Sequence, residues 1–145
     1  MRVIAGIHTS KALESLEGRN TRPTMDKVKE GIFNSLHEVS GLGLDLFAGS
    51  GALGIEALSR GMEKVIFVDQ NFKAVKVIKS NLKQLDLMSQ SEVYKNNADR
   101  ALKALANRDI QFDYIFLDPP YKKGLIDEAL KSIAEFNLLK ENGII

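Results

Sequence analysis

The tetrad Asp118-Pro119-Pro120-Tyr121 follows directly on the apolar run FDYIFL. Its two prolines fix the backbone and remove two N–H donors. Beside the Asp118 carboxylate, the loop then offers hydrogen-bond acceptors and no donors. That set suits the exocyclic amino group of a nucleobase, whose hydrogens it can hold while aiming the nitrogen at an electrophile. Tyr121 adds a flat face on which an extruded base can stack. The bland alternative is a strand-ending proline turn with a solvated aspartate.

A second constellation lies upstream. Asp45-Leu46-Phe47-Ala48-Gly49-Ser50-Gly51-Ala52-Leu53-Gly54 contains G-x-G-x-x-G, and Asp69 stands 20 residues after Gly49, at the end of KVIFVD. Glycines at a strand-to-helix turn let a ligand lie against bare backbone, the helix start supplies unpaired N–H groups, and Asp69 suits ribose hydroxyls. This fingerprint points to a nucleoside-containing cofactor without saying which. Asp45 moves the choice away from a nicotinamide dinucleotide, because a carboxylate is awkward beside a pyrophosphate and useful beside an ammonium. S-adenosylmethionine carries an ammonium and no phosphate. A carboxylate that merely braces the loop is the alternative for Asp45.

The elements that must position these residues alternate between two periods. Residues 25–37 carry Met25, Val28, Ile32 and Leu36 at helical spacing, with Thr24 as a candidate N-cap. Strands are predicted at 42–47, 64–69, 92–95 and 112–117, and helices at 52–60, 71–85, 99–106 and 125–136. The strand–helix alternation implies an α/β fold, a mostly parallel sheet with helices on both faces. In open sheets of this kind ligands bind at the carboxyl ends of the strands, where both constellations fall. Asn142-Gly143-Ile144-Ile145 reads as a turn and the first residues of a further strand, so the C-terminal strands of the domain are expected to be missing from the sequence.

Composition sets the outer bounds. The 145 residues suit one domain, 44% are hydrophobic and 27% charged, and the formal net charge of +1 excludes a histone-like polycation. Without cysteine there is no disulfide, thiolate metal site or Cys nucleophile. Only two histidines are present and no acidic cluster has ligand spacing, so no metal is expected. No apolar run approaches the ~18 residues of a membrane span, and the N-terminus does not read as a signal peptide. A soluble, cytoplasmic chain is the expectation.

DLFAGSGALGIEALSRG and LDPPY resemble the cofactor and catalytic motifs of Rossmann-like class I amino-methyltransferases. Arg22-Pro23-Thr24-Met25-Asp26-Lys27-Val28-Lys29-Glu30 narrows this: it resembles the N-terminal segment of RsmD, the bacterial 16S ribosomal RNA guanine-N2 methyltransferase family. The resemblance implies S-adenosylmethionine as methyl donor, with no metal. Phe47, Ala48, Gly49, Ser50 and Gly51 would wrap its methionine part, with Asp45 near the amino group. Asp69 would hold the ribose, Gln70 would lie beside the adenine, and Ala98 and Asp99 would contact the adenine. Asp99 reads equally well as the N-cap of its helix. Asp118, Pro119, Pro120 and Tyr121 would orient the guanine amine.

Residues 1–24 are then an RNA-facing arm and residues 25–145 the S-adenosylmethionine-binding domain. The first 29 residues hold Arg2, Lys11, Arg19, Arg22, Lys27 and Lys29 against Glu14, Glu17 and Asp26, a surplus of +3. Lys11, Arg19, Arg22 and Thr24 on the arm, and Lys122 and Lys123 beside the tetrad, are candidate RNA contacts. One departure from the family is His8-Thr9-Ser10-Lys11-Ala12, where a Gly-Arg pair is usual; Lys11 keeps the charge without arginine's fork. The implied partner is 16S rRNA within an assembled or assembling small subunit, met by a monomer. Three alternatives stay open: an adenine-N6 methyltransferase of DNA or RNA, a nicotinamide oxidoreductase, and an RNA-binding assembly factor with a vestigial site.

Overall fold

The computed structural model describes residues 2–14, 23–36, 38–119 and 124–145. After a short N-terminal arm come α1 (Pro23–Leu36), β1 (Leu42–Leu46), α2 (Ala52–Ser59), β2 (Lys64–Asp69) and α3 (Phe72–Gln84). They are followed by β3 (Ser91–Lys95), α4 (Ala98–Asn107), β4 (Phe112–Leu117), α5 (Leu125–Glu135) and β5 (Leu139–Ile144). The strands form one sheet in the order β3-β2-β1-β4-β5, and every neighbouring pair is parallel. Strand order reverses its direction across the sheet between β1 and β4, which creates a crevice at their carboxyl ends.

Two apolar layers sandwich the sheet. On one face α1, α2, α3 and the arm meet around Phe33, Ile55, Leu58, Phe67, Ile78 and Leu82. On the other, α4 and α5 meet around Leu46, Ile66, Val68, Leu102, Leu105 and Ile133. β1 and β2 are buried almost end to end, as strands covered on both faces must be. The arm is tied into the first layer rather than lying free. Val3 and Leu13 sit in that core, and the arm folds back on itself, Val3 N–H donating to the Lys11 carbonyl at 2.9 Å and Ser10 N–H to the Val3 carbonyl at 2.7 Å.

Three sequence expectations are corrected. On α1 the middle of the apolar row is not buried, although Leu36 packs against the core. Val28 and Ile32 are 62% and 40% exposed, while Phe33 and Lys29 are buried. The ring of Phe33 is taken up by Phe116, at 5.6 Å between centroids, and by the Arg60 guanidinium at 5.1 Å. This rotates the helix away from its nominal stripe. Thr24 lies inside α1, not at an N-cap before it.

At the C-terminus, Asn142 and Gly143 are part of β5 and do not precede it. Phe112 faces Leu139 and Tyr114 faces Ile144, so the β5 segment between these partners bulges out of register with β4. The turn-forming residues fall within this irregularity.

Candidate active site

β1 ends at Leu46, and the next residue, Phe47, turns the chain with φ +65. A bulky side chain in the left-handed region is an outlier of the kind found at functional sites. Nothing in the neighbouring residues signals it. The loop then runs through Gly49, whose φ is +60 and where an added Cβ would meet nothing within 4 Å. The loop is open on that side. At Gly54 the reverse holds: a Cβ would lie 2.3 Å from the Phe67 ring, so this glycine lets α2 press onto β2. The start of α2 has Gly51 as N-cap, a residue with no side chain to cap it. The glycines thus divide, one facing open space and one serving helix–strand packing.

Asp45 is 1% exposed and is in register with Phe67 on one side and Phe116 on the other. Its Oδ2 accepts the Gly54 N–H at 3.0 Å, so it braces the loop whatever else it does. Burial between the two strands raises its pKa to about 8; the Gly54 N–H works against that shift, and the carboxylates of Asp118 and Asp69 add to it. Asp69, at the end of β2, is already engaged through both oxygens. Oδ2 accepts Gly49 N–H and Oδ1 accepts Asn71 N–H, both at 2.9 Å. Each carboxylate oxygen can accept more than one donor, so the bonds to the loop do not preclude bonds to a sugar. Asp118 is exposed just beyond β4. Three carboxylates from β1, β2 and β4 therefore gather around an open glycine loop, an arrangement that a cation would stabilise.

The other candidates are placed as follows. Gln70 is exposed beside Asp69. Ala98 opens α4 beyond the end of β3, and Asn96 N–H donates to the Asp69 carbonyl at 3.1 Å, which ties this corner to the end of β2. The N-cap reading of Asp99 is corrected: Asn97 is the N-cap, its side chain accepting Arg100 N–H at 2.9 Å, and Asp99 is exposed in the first turn. Pro119 is half-buried next to Asp118. Pro120, Tyr121, Lys122, Lys123, Arg19 and Arg22 lie outside the described residues, as does the side chain of Thr24. Lys11 is exposed on the arm. Lys29, counted in the arm's basic surplus, is buried, its Nζ donating to the Arg2 carbonyl at 2.6 Å and lying 3.5 Å from Glu56. It fastens the arm and meets no solvent-borne phosphate.

The family model described as conserved hypothetical protein 95 matches residues 1–145. The Bacillus subtilis protein YlbH is 54% identical over 100% of this chain and 80% of its own length. Ribosomal RNA small subunit methyltransferase D of Haemophilus influenzae is 40% identical over 100% of this chain and 76% of its own. The chain belongs to this methyltransferase family, RsmD. Its fold agrees. The solved structure of the Escherichia coli protein yhhF, 32% identical, superposes with a TM-score of 0.79 over 100% of this chain and 75% of that one. The chain thus has a class I, Rossmann-like methyltransferase fold, with its glycine loop and its Asp118 loop on adjacent strands.

Sequence reading missed three buried polar residues that fasten the arm to α2 and α3, one of which also reaches the glycine loop. Glu56 on α2, fully buried, accepts Ile4 N–H at 2.8 Å, Ala5 N–H at 3.1 Å and Arg60 Nε at 2.7 Å. Ser59 Oγ accepts His8 N–H and donates to the Ala5 carbonyl. Asn81 on α3 is fully buried and reaches both arm and loop. Asn81 had a signal: it falls at i+3 from Ile78, within the apolar stripe that includes Leu82. Among the described residues, no group of His, Asp and Glu has the makings of a metal site, and no helix is long and apolar enough to cross a membrane.

Proposed function

We propose that this chain transfers a methyl group from S-adenosylmethionine to the exocyclic N2 amine of a guanine in 16S ribosomal RNA. One observation carries the reading: the buried Asp45, the loop-bonded Asp69 and the exposed Asp118 stand on three adjacent strand ends around an open glycine loop. The name of the Haemophilus influenzae relative supports the small-subunit rRNA.

The residues fit the donor. Gly49 leaves room for a ligand against its backbone, Asp69 keeps lone pairs that could accept from ribose hydroxyls, and the mutually repelling carboxylates favour a positively charged methionine end. Asp45, Phe47, Ala48, Gly49, Ser50, Gly51, Asp69, Gln70, Ala98 and Asp99 would hold it; when bound, it supplies an electrophilic sulfonium methyl. Asp118 and the carbonyls of the proline loop accept hydrogen bonds from the N2 amine and so aim its lone pair in line with the methyl. Once N2 has taken the methyl group that the donor would supply, its surplus proton leaves for Asp118 or water. The carboxylate also stabilises the positive charge that grows on nitrogen, so no strong general base is required.

A guanine paired within a helix cannot present N2 to this edge, so the base is turned out of its stack and laid against Tyr121. Lys11, Arg19, Arg22, Thr24, Lys122 and Lys123 are the proposed RNA contacts. So small a chain reads the shape of an assembled or assembling particle, in the cytoplasm and as a monomer.

The test is to incubate the protein and methyl-deuterated S-adenosylmethionine with small subunits lacking base methylation, then identify labelled nucleosides by mass spectrometry. Labelled N2-methylguanosine is the expected result. Labelled N6-methyladenosine would replace the substrate while keeping the site.

A further inference from the structure

Asn81 spends its whole side-chain amide on two places that are distant in the sequence. Oδ1 accepts Glu14 N–H at 2.7 Å, and Nδ2 donates to the Glu14 carbonyl at 2.9 Å and to the Ser50 carbonyl at 3.0 Å. Glu14 is the last described residue of the arm before the stretch that carries Arg19 and Arg22. Ser50 lies between Gly49 and Gly51 in the loop. The peptide joining Ser50 to Gly51 is thereby held at both ends, because Gly51 N–H donates to the Ala48 carbonyl at 2.8 Å. Without Asn81, the carbonyl end of that peptide loses this bond, and the loop can turn it toward the ligand space.

We propose that Asn81 is a positioning residue that links occupancy of the glycine loop to placement of the N-terminal arm. The inference rests on the reading that the loop holds S-adenosylmethionine. A ligand that orders the Ser50 peptide strengthens its bond to Nδ2, and the same planar amide then holds Glu14 more firmly. By reciprocity, whatever seats the arm favours the ligand-ready loop. A fully buried amide suits this role, since it has no water to fall back on and loses a bond whenever either side shifts.

The test is amide hydrogen exchange with and without S-adenosylhomocysteine, followed at residues 47–54 and at Glu14. In the unaltered protein, the ligand should slow exchange in the loop and also slow Glu14 about fivefold or more, the low end of ordinary coupling. In Asn81→Ala the loop should still slow and Glu14 should not; a merely structural role for Asn81 would instead leave Glu14 unslowed by the ligand in the unaltered protein too. Asn81→Asp keeps the acceptor for Glu14 N–H and loses both donors, and serves the same purpose if the alanine variant does not fold. Slowing in the loop without slowing at Glu14 in the unaltered protein overturns the inference and leaves the cofactor reading standing. Slowing at Glu14 that survives in the variants overturns it as well. No slowing in the loop overturns both.

Discussion

Asp45 and Gly54 clamp the glycine loop onto its own helix: the carboxylate near the end of β1 accepts the Gly54 N–H at 3.0 Å from a position 1% exposed. That single bond spans the whole loop. It also places an acid where water cannot hydrate it, between Phe67 and Phe116 in register. The pKa of about 8 follows from that burial, with Asp118 and Asp69 as added repulsion.

Stability should therefore depend on pH in a direction opposite to that of most carboxylates. Between the ordinary value of 3.8 and about 8, the folded chain keeps the Asp45 proton and the unfolded chain has lost it. The folded state then binds more protons, so this group makes stability fall as pH rises through that window, with no contribution to the slope outside it. The side-chain amide of an Asp45→Asn variant can still accept the Gly54 bond but cannot titrate. Relative to the parent chain, Asp45→Asn should gain stability progressively from pH 5 to pH 8 in urea melts without ligand. A cationic ligand end reverses the preference and favours the ionised form, so S-adenosylhomocysteine should bind more tightly toward pH 8 and release protons. Calorimetry in two buffers of different ionisation enthalpy measures that release; none would remove Asp45 from the ammonium site.

Asp118 is the exposed member of the three carboxylates and contributes no bracing bond to the loop. Asp118→Ala should lower methyl transfer by about 10²–10³-fold, the usual loss when one group that stabilises developing charge is removed. S-adenosylhomocysteine affinity should fall far less than turnover, by no more than the loss of one of the three carboxylates' repulsion allows. Near-normal turnover in single-turnover assays would take the catalytic role away from this residue.

The two glycines should fail in different ways. Gly54→Ala puts a methyl group 2.3 Å from the Phe67 ring, so it should destabilise the fold by about 1–3 kcal/mol, as overpacking does. Gly49→Ala meets nothing within 4 Å and adds only left-handed strain at φ +60, about 1–2 kcal/mol. Its methyl group occupies the open side of the loop, however, so ligand affinity should drop more than for Gly54→Ala. Denaturant melts and calorimetric titration of both variants separate the two effects. The reverse ranking would mean that the ligand does not lie against Gly49.

These contrasts mark what local pattern can and cannot carry. The strands were legible because β1, β2 and β4 are short apolar runs that end at glycine, aspartate or proline, and the alternation with helices fixed the sheet as parallel. The positions of Asp45, Asp69 and Asp118 at neighbouring strand ends followed from the order of the elements. The partners of Asp69 did not, because its bond to Gly49 N–H depends on how the loop folds back. On α1 the stripe of Val28 and Ile32 misled, since a ring contact between Phe33 and Phe116 decided the helix's rotation. Glu56 was invisible as a buried residue. Its partners Ile4 and Ala5 lie 52 and 51 positions away, and a glutamate in a short helix otherwise reads as solvated.

Glu56 is also where the arm is most exposed to a single change. Its carboxylate, fully buried, answers two arm N–H groups and the Arg60 side chain, with Lys29 Nζ at 3.5 Å. Glu56→Ala removes the acceptor for both N–H groups and leaves the Lys29 ammonium buried without its closest carboxylate, since Asp26 stands farther off at 3.9 Å. Stranding a buried charge costs about 3–5 kcal/mol, so the variant should lose that much stability in urea. Exchange at the Ile4 and Ala5 amides should quicken, and in Lys29→Met/Glu56→Gln part of the stability should return, because the buried Lys29 charge is gone and the glutamine amide oxygen can still accept a hydrogen bond where the carboxylate did. A loss of less than about 1 kcal/mol, the worth of an exposed pair, would mean that the arm is held by Val3 and Leu13 in the core and that the buried ion pair adds little.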